Sequence, residues 1–134
     1  MVDYNAIGNA IRTRANTEIA AAQSVSVGYD NVSFEPSQGA LSVRCTVQFG
    51  QSFQVSRGTS ARFRTPGIAF FEVFAALGTG DGAALDLVDA INLAFRAVTA
   101  DGVTYRTPSV GEGTSDGPTW RITVSCPFYS DNIS

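Results

Sequence analysis

Between residues 41 and 49 the chain alternates strictly, with Leu41, Val43, Cys45, Val47 and Phe49 apolar and Ser42, Arg44, Thr46 and Gln48 polar. Successive side chains of a strand point to opposite faces, so this pattern fits a half-buried strand and not a helix. The same period returns near the end of the chain, where Trp120, Ile122, Val124 and Cys126 oppose Thr119, Arg121, Thr123 and Ser125. Residues 61–64 and 68–74 also read as extended, interrupted by Pro66-Gly67, a dipeptide that predicts a turn or bulge. Within the second stretch both faces are largely apolar, Ala69, Phe71 and Val73 on one and Ile68, Phe70 and Phe74 beside Glu72 on the other. Such a strand is central and covered on both sides, or it faces a partner. Val25, Val27 and Tyr29 suggest a further extended piece before a Tyr29-Asp30-Asn31 turn, and residues 102–107 another.

Two segments carry the helical period instead. Asp3 is a suitable N-cap for a helix whose stripe is Tyr4, Ile7, Ile11 and Ala15, and Ala84, Leu87, Val88, Ile91 and Phe95 mark a second. Asp81, Asp86 and Asp89 early in that second helix and Arg96 late in it suit the helix dipole. The elements then run helix, strands, helix, strands. They predict an α+β fold, a single mixed or antiparallel sheet with two helices packed on one face. With 134 residues, the whole chain, residues 1–134, is expected to form one domain.

The chain has no His, and all nine of its basic residues are Arg. Without imidazole there is no ordinary Ser-His-Asp or Cys-His nucleophile pair and no His metal ligand. Without Lys there is neither a Schiff base nor a P-loop lysine. The expectation is a protein that is not an enzyme and holds no cofactor and no metal. The Gly78-Thr79-Gly80-Asp81-Gly82 run before the second helix resembles a phosphate cradle, but it lacks the P-loop ending and the dinucleotide-binding spacing, and a strand-to-helix turn is the better account. Cys45 and Cys126 are too few for a disulfide scaffold and fall on the apolar sides of their strands, which predicts buried thiols. The N-terminus lacks a basic start followed by an apolar run, and no stretch is long enough to span a bilayer, so synthesis in a cytoplasm and no membrane partner are expected.

Charged residues make up only 16% of the chain, which suits either a protein largely covered by neighbours or a neutral monomer surface. Charge is also separated along the chain. Arg44, Arg57, Arg62 and Arg64 stand between Glu35 and Glu72 with no acid among them, whereas from Asp81 onward acids outnumber Arg by seven to three. The Arg segment fits contact with an acidic edge of a neighbouring copy, contact with nucleic-acid phosphates, or solvated side chains on an exposed hairpin. A net charge of −3 gives no overall basic footprint for sequence-specific DNA binding. Phe53 and Val55 lie in the otherwise polar stretch at 51–59, as interface anchors or folded back on the domain. Trp120 reads as core, and Asp101-Gly102 and Ser115-Asp116-Gly117 read as turns and not as catalytic acids.

A series of short motifs resembles the phage tail terminator-like family. They are Tyr29-Asp-Asn-Val-Ser-Phe-Glu-Pro36, Thr65-Pro-Gly-Ile-Ala-Phe-Phe-Glu-Val-Phe74, Gly78-Thr-Gly80, Ile91-Asn-Leu-Ala-Phe95, Gly102-Val-Thr-Tyr-Arg106 with Pro108-Ser-Val-Gly111, Gly117-Pro-Thr-Trp120 and Val124-Ser-Cys-Pro-Phe128. They cover most of the chain in the family's order, and the connection at 20–28 is longer than the family pattern. The resemblance implies a virion protein at the neck-proximal end of a tail, made in the host cytoplasm. It implies a subunit of a six-membered ring that caps the tail tube, stops its polymerisation and offers a surface for head-tail joining. The partners are then other copies of the chain, the tail tube protein and a head-completion or neck protein, with genomic DNA passing through the ring without sequence-specific binding. The family carries no catalytic residues over. From charge and exposure alone, Phe53, Val55, Arg57, Arg62, Arg64, Glu72 and Asp116 are the expected subunit or tube contacts. The rival readings are a neck, head-completion or tube subunit, and a small ligand-binding or enzymatic domain using Glu72, Asp81 and Asp116, which a cleft gathering two of those carboxylates would favour.

Overall fold

The computed structural model describes residues 4–21, 26–29, 42–55, 57, 61–76, 82–100, 102–111, 113–116 and 119–133. Helix α1 (Tyr4–Ala15) buries Ile7, Ile11 and Ala15, and continues as a π-helical stretch, Asn16–Ala21, that buries Ile19. Residues spaced by four drift around an α-helix by about 40° per step, because each residue turns about 100°. The wider π turn offsets that drift and brings Ile19 back over the core. Tyr4, assigned to the same stripe, is instead 47% exposed; it meets Phe49 edge-on, with ring centroids 4.9 Å apart, and its hydroxyl lies 3.4 Å from Ser52 Oγ. The proposed cap Asp3, the Tyr29-Asp30-Asn31 turn beyond Tyr29 and residues 78–81 of the glycine run lie outside the described residues.

Among the described residues the strands are β1 (Ser26–Tyr29), β2 (Ser42–Phe49), β3 (Phe53–Gln54), β4 (Arg62–Ala76), β5 (Thr99–Ala100), β6 (Val103–Tyr105), β7 (Ser109–Val110), β8 (Thr114–Asp116) and β9 (Thr119–Ile133), with α2 (Gly82–Phe95) between β4 and β5. They form one sheet in the order β1-β2-β4-β9-β6-β5, with β3 beside β4 and β7 and β8 beside β9. β1 runs parallel to β2 and every other pairing is antiparallel, so the sheet is mixed.

Alternation decides what is buried. Ala69, Phe71, Val73 and Ala75 of β4, Val43 and Cys45 of β2, and Ile122, Val124, Cys126 and Phe128 of β9 join Ile7, Ile11 and Ile19 and the α2 stripe Ala84, Leu87, Val88, Ile91 and Phe95 in one apolar cluster. Phe95 links the layers, its ring 4.8 Å from Phe71 and 5.1 Å from Tyr105. On the other side of β4, Ile68, Phe70 and Glu72 are half-buried and Phe74 is buried. Cys45 and Cys126 are both buried free thiols, and burial, helped by the neighbouring Cys45, pushes the Cys126 thiol up to about 12. Trp120 packs against the core, its ring taking the space that a Cβ on Gly113 would need. The β5–β6 hairpin turns through Gly102, whose φ of 80° is the left-handed value that an Asp-Gly hairpin loop requires.

Two features depart from the sequence expectations, and both involve proline. β4 runs unbroken through Pro66-Gly67, and β9 does not stop near Cys126 but continues through Pro127 to Ile133. In an extended strand a residue's N–H and C=O point to the same side. The Pro66 carbonyl accepts the Gly50 N–H at 2.8 Å, so the donor that proline lacks would also face β2, which ends one residue earlier at Phe49. Likewise the Pro127 carbonyl accepts the Arg106 N–H at 2.8 Å and returns no bond, and β6 ends at Tyr105. Each proline thus ends a flanking strand and leaves the β4–β9 ladder intact. Gly67 fits the same place because Phe128 lies across it. A Cβ there would stand 2.5 Å from Phe128 Cζ and 2.6 Å from the Gln48 carbonyl oxygen.

Gly67→Ala is expected to destabilise the fold by about 1–3 kcal/mol through overpacking, read as a lower urea midpoint with an unchanged far-UV spectrum.

Candidate functional site

Past Pro66 on one side and the Gly102 turn of the β5–β6 hairpin on the other, the sheet narrows to β3, the first residues of β4 and the last residues of β9. Arg62, Phe63 and Arg64 pair with Ile133, Asn132 and Asp131, and on the other side Phe53 and Gln54 pair with Arg64 and Phe63. Val55 extends that edge by donating its N–H to the Arg62 carbonyl at 2.8 Å. The stretch at 50–60, expected to be a polar loop or a long hairpin tip, contains a short strand paired antiparallel with β4, and its two apolar residues are not folded away. Phe53 is 49% and Val55 40% exposed. Cross-strand partners share a face, so the register sets Phe53, Arg64 and Asp131 on one face, with Arg62 two residues along it. Arg57 and Arg62 are exposed. On the core side of this ribbon apolar packing gives way to hydroxyls. Buried Thr65 pairs with Ser52 (Oγ1 to Oγ, 2.7 Å), and buried Ser130 donates to the Gly102 carbonyl at 2.9 Å.

Arg64 is braced within its own chain. Its guanidinium forks onto Asp131, Nε to Oδ1 at 2.8 Å and Nη2 to Oδ2 at 3.1 Å, and stacks on the Tyr129 ring at 4.0 Å. Arg106 approaches the same ring at 5.0 Å. The hydrogen bond from Arg64 holds the Asp131 carboxyl below its ordinary value, and the charges of Arg64 and Arg62 add to this. The same hydrogen bond raises the Arg64 pKa further. Forked guanidinium–carboxylate pairs hold geometry as well as charge, so this contact locks β4 to β9 where the flanking strands have ended. Asp131, Tyr129 and Arg106 were not legible as a group, since Arg64 and Asp131 lie 67 residues apart. Only the continued alternation of Phe128 and Ser130 against Tyr129 and Asp131 signals that the strand goes on.

Four of the seven expected contact residues, Phe53, Val55, Arg62 and Arg64, come together on the ribbon, and Arg57 follows β3 along the chain. The other two do not join them. Glu72 is eight residues along β4 from Arg64, about 26 Å for an extended strand, and has Arg121 Nη1 at 4.0 Å. Asp116 ends β8, paired with Thr119 at the opposite end of β9; its side chain lies outside the described residues, as does Asp81. An open groove of about 350 Å³ sits at the branch of β2 and β3, lined by Gln48, Phe49, Gly50, Pro66, Gly67 and Ile68, and its lining has no carboxylate. Among the described residues no group of His, Cys, Asp and Glu is placed to hold a metal ion, and no helix is long and apolar enough to cross a membrane.

The family model described as phage tail terminator protein matches residues 6–128. The chain belongs to that family. It is therefore a phage tail structural protein, and the family is not one of enzymes. No curated protein matches it. Among solved structures, one similar chain superposes with a TM-score of 0.72 at 19% identity, over 100% of this chain and 99% of the other, a likeness of fold.

Because its folded value is lowered, the Asp131 carboxylate adds stability that is complete above the ordinary aspartate pKa of 3.8 and is lost as pH falls through the lower folded value. Urea midpoints compared between wild type and Asp131→Asn from pH 7 down to about 2 are expected to show wild type more stable at neutral pH and the gap closing in acid. A gap independent of pH would remove the ion pair as its source.

Proposed function

We propose that this tail terminator works as a ring on the end of the tail tube, where it stops tube polymerisation and offers a surface for head-tail joining. The observation that carries this reading is the family match over residues 6–128. In this reading the whole chain is one domain, six copies close the ring at the neck-proximal end of the tail in the virion, and the chain is made in the host cytoplasm. The tail tube protein and a head-completion or neck protein are its partners, and genomic DNA passes through without being read. In this reading both helices pack on one side of the sheet. The opposite side, with half-buried Ile68 and Phe70, and the ribbon with Phe53, Val55, Arg57 and Arg62 are left for neighbouring subunits. Such surfaces fit assembly, because apolar anchors flanked by charge give affinity at the centre and register at the rim. Arg64 contributes by keeping the ribbon stiff, and Glu72 and Asp116 belong to contacts away from it.

Deleting the gene is expected to yield overlong or ragged tubes, seen by negative-stain electron microscopy, that the supplied protein caps as rings. Normal-length tails lacking heads would point instead to a neck or head-completion protein. Loss of tubes altogether would point to a tube subunit.

A further inference from the structure

We infer that neighbouring copies join head to tail, with the ribbon of one copy docking on the outward face of α2 of the next. The inference rests on the ring reading and names the surfaces that make the ring. α2 buries Ala84, Leu87, Val88, Ile91 and Phe95, which accounts for its amphipathic stripe, yet two more leucines stand off that stripe. Leu85 is 41% and Leu93 80% exposed. Between them on the same outward face lie exposed Asp86 and Asp89. Leu85 and Leu93 stand eight residues apart, about 12 Å along the helix, with Asp89 between them, so this face offers two apolar points that flank carboxylates.

The ribbon offers the opposite set, Phe53 and Val55 as apolar anchors with exposed Arg57 and Arg62 as flanking cations. Aspartates against arginines and leucines against Phe and Val make the two surfaces complementary in both charge and polarity. Arg96, exposed just past the end of α2, orients the contact by favouring the ribbon arginines toward the Asp86 and Asp89 half of the helix.

The contact has to be intermolecular. Phe95 meets the ring of Phe71, which is seven residues along β4 from Arg64 and on the opposite face of the strand. An extended strand covers about 23 Å over that span. A paired ribbon of that length does not fold back onto the helix of its own chain. Two different surfaces that fit each other on separate copies form a heterologous interface, which closes into a ring or grows into a filament according to its rotation.

Head-to-tail joining has a signature that a self-matched dimer lacks, because a variant spoiled on one surface keeps the other. Phe53→Ser with Val55→Ser spoils the ribbon, and Leu85→Ser with Leu93→Ser spoils the helix face; all four positions are exposed, and circular dichroism checks that both variants stay folded. In sedimentation velocity, with wild type forming rings in solution or on isolated tubes, each variant alone is expected to be monomeric, and the equimolar mixture to give a 1:1 pair and nothing larger. Reversing charge on one surface, Asp86→Arg with Asp89→Arg or Arg57→Glu with Arg62→Glu, is expected to weaken association about tenfold or more. Reversing both is expected to restore it. Wild-type rings with a helix-face variant that still assembles, or with a mixture that stays monomeric, would overturn this inference and leave the ring reading in place, assigning these surfaces to the tube or neck protein. A wild type that stays monomeric both alone and with tubes would overturn both.

Discussion

The fold depends on one ladder. β4 and β9 pair residue for residue from Arg62 with Ile133 to Ala76 with Thr119, and each other strand of the sheet except β1 and β5 is hydrogen-bonded to one of the two. The two are 15 residues each, near 50 Å at the rise of an extended strand. Both helices give their apolar stripes to the cluster that this ladder supports through Phe71, Val73, Val124 and Cys126. Because the ladder is longer than the helices that share its core, part of it must extend past them. The ribbon is that surplus, and its existence is a matter of length before it is a matter of function.

Pro66 and the Gly102 turn determine how the surplus is used. A sheet of uniform width with open edges would offer unpaired N–H and C=O groups along its full length, a template for unplanned pairing. Pro66 stands where β2 ends, whereas Pro127 separates β7 from β6 along β9; β6 pairs past it with Phe128 and Tyr129, and its hairpin turns at Gly102, whose carbonyl accepts from Ser130. The narrowing is therefore localised, and what lies beyond it holds by other means. There the Ser52–Thr65 hydroxyl pair, the Ser130 bond to Gly102 and the Arg64–Asp131 fork replace apolar burial. A stiff, polar-braced projection can carry Phe53 and Val55 in the open without collapsing onto the core, and that placement makes them available to another molecule.

Much of this architecture was legible because it rests on short-range periodicity. Strand β2, the buried stripe of α2 and the burial of both cysteines follow from which side of a strand or helix a residue takes, and the turn at Gly102 follows from glycine's backbone freedom. The errors came where one local signal had two meanings. Pro66-Gly67 read as a break because proline usually lacks room in a sheet, yet whether its missing donor matters depends on where the neighbouring strand ends, which is not a local property. Pro127 hid the part of β9 from Pro127 to Ile133, nearly half of the strand, in the same way. For the candidate site, the grouping of Arg62 and Arg64 was visible in the run of arginines, whereas Phe53 and Val55 could be read either as exposed anchors or as folded back, and it is the pairing of β3 with β4 that leaves them in the open. The brace on Arg64 was not, because Asp131 and Tyr129 reach it only through the register of a strand that the sequence reading ended too early. Leu85 and Leu93 were visible as leucines off the α2 stripe, a signal that a search for the buried face passes over.

The absence of lysine, which at first only narrows the chemistry available, takes on a structural sense once the arginines are placed. Arg14 donates Nε–H to the Ala94 carbonyl at 2.7 Å, at the end of α2 where helix carbonyls lack partners, and its guanidinium lies 5.8 and 5.9 Å from the rings of Phe95 and Tyr105. Arg64 makes two parallel bonds to one carboxylate and stacks on one ring. Arg64 uses the flat face and the fork together, while Arg14 joins one directed N–H bond to its two ring contacts, and an ammonium group has neither the flat face nor the fork. Lysine at either place keeps the charge and loses the geometry, leaving the end of α2 and the base of the ribbon less firmly set. The set of the ribbon and of the end of α2 thus depends on the geometry of Arg64 and Arg14 more than on net charge, and arginine suits these two positions where lysine does not.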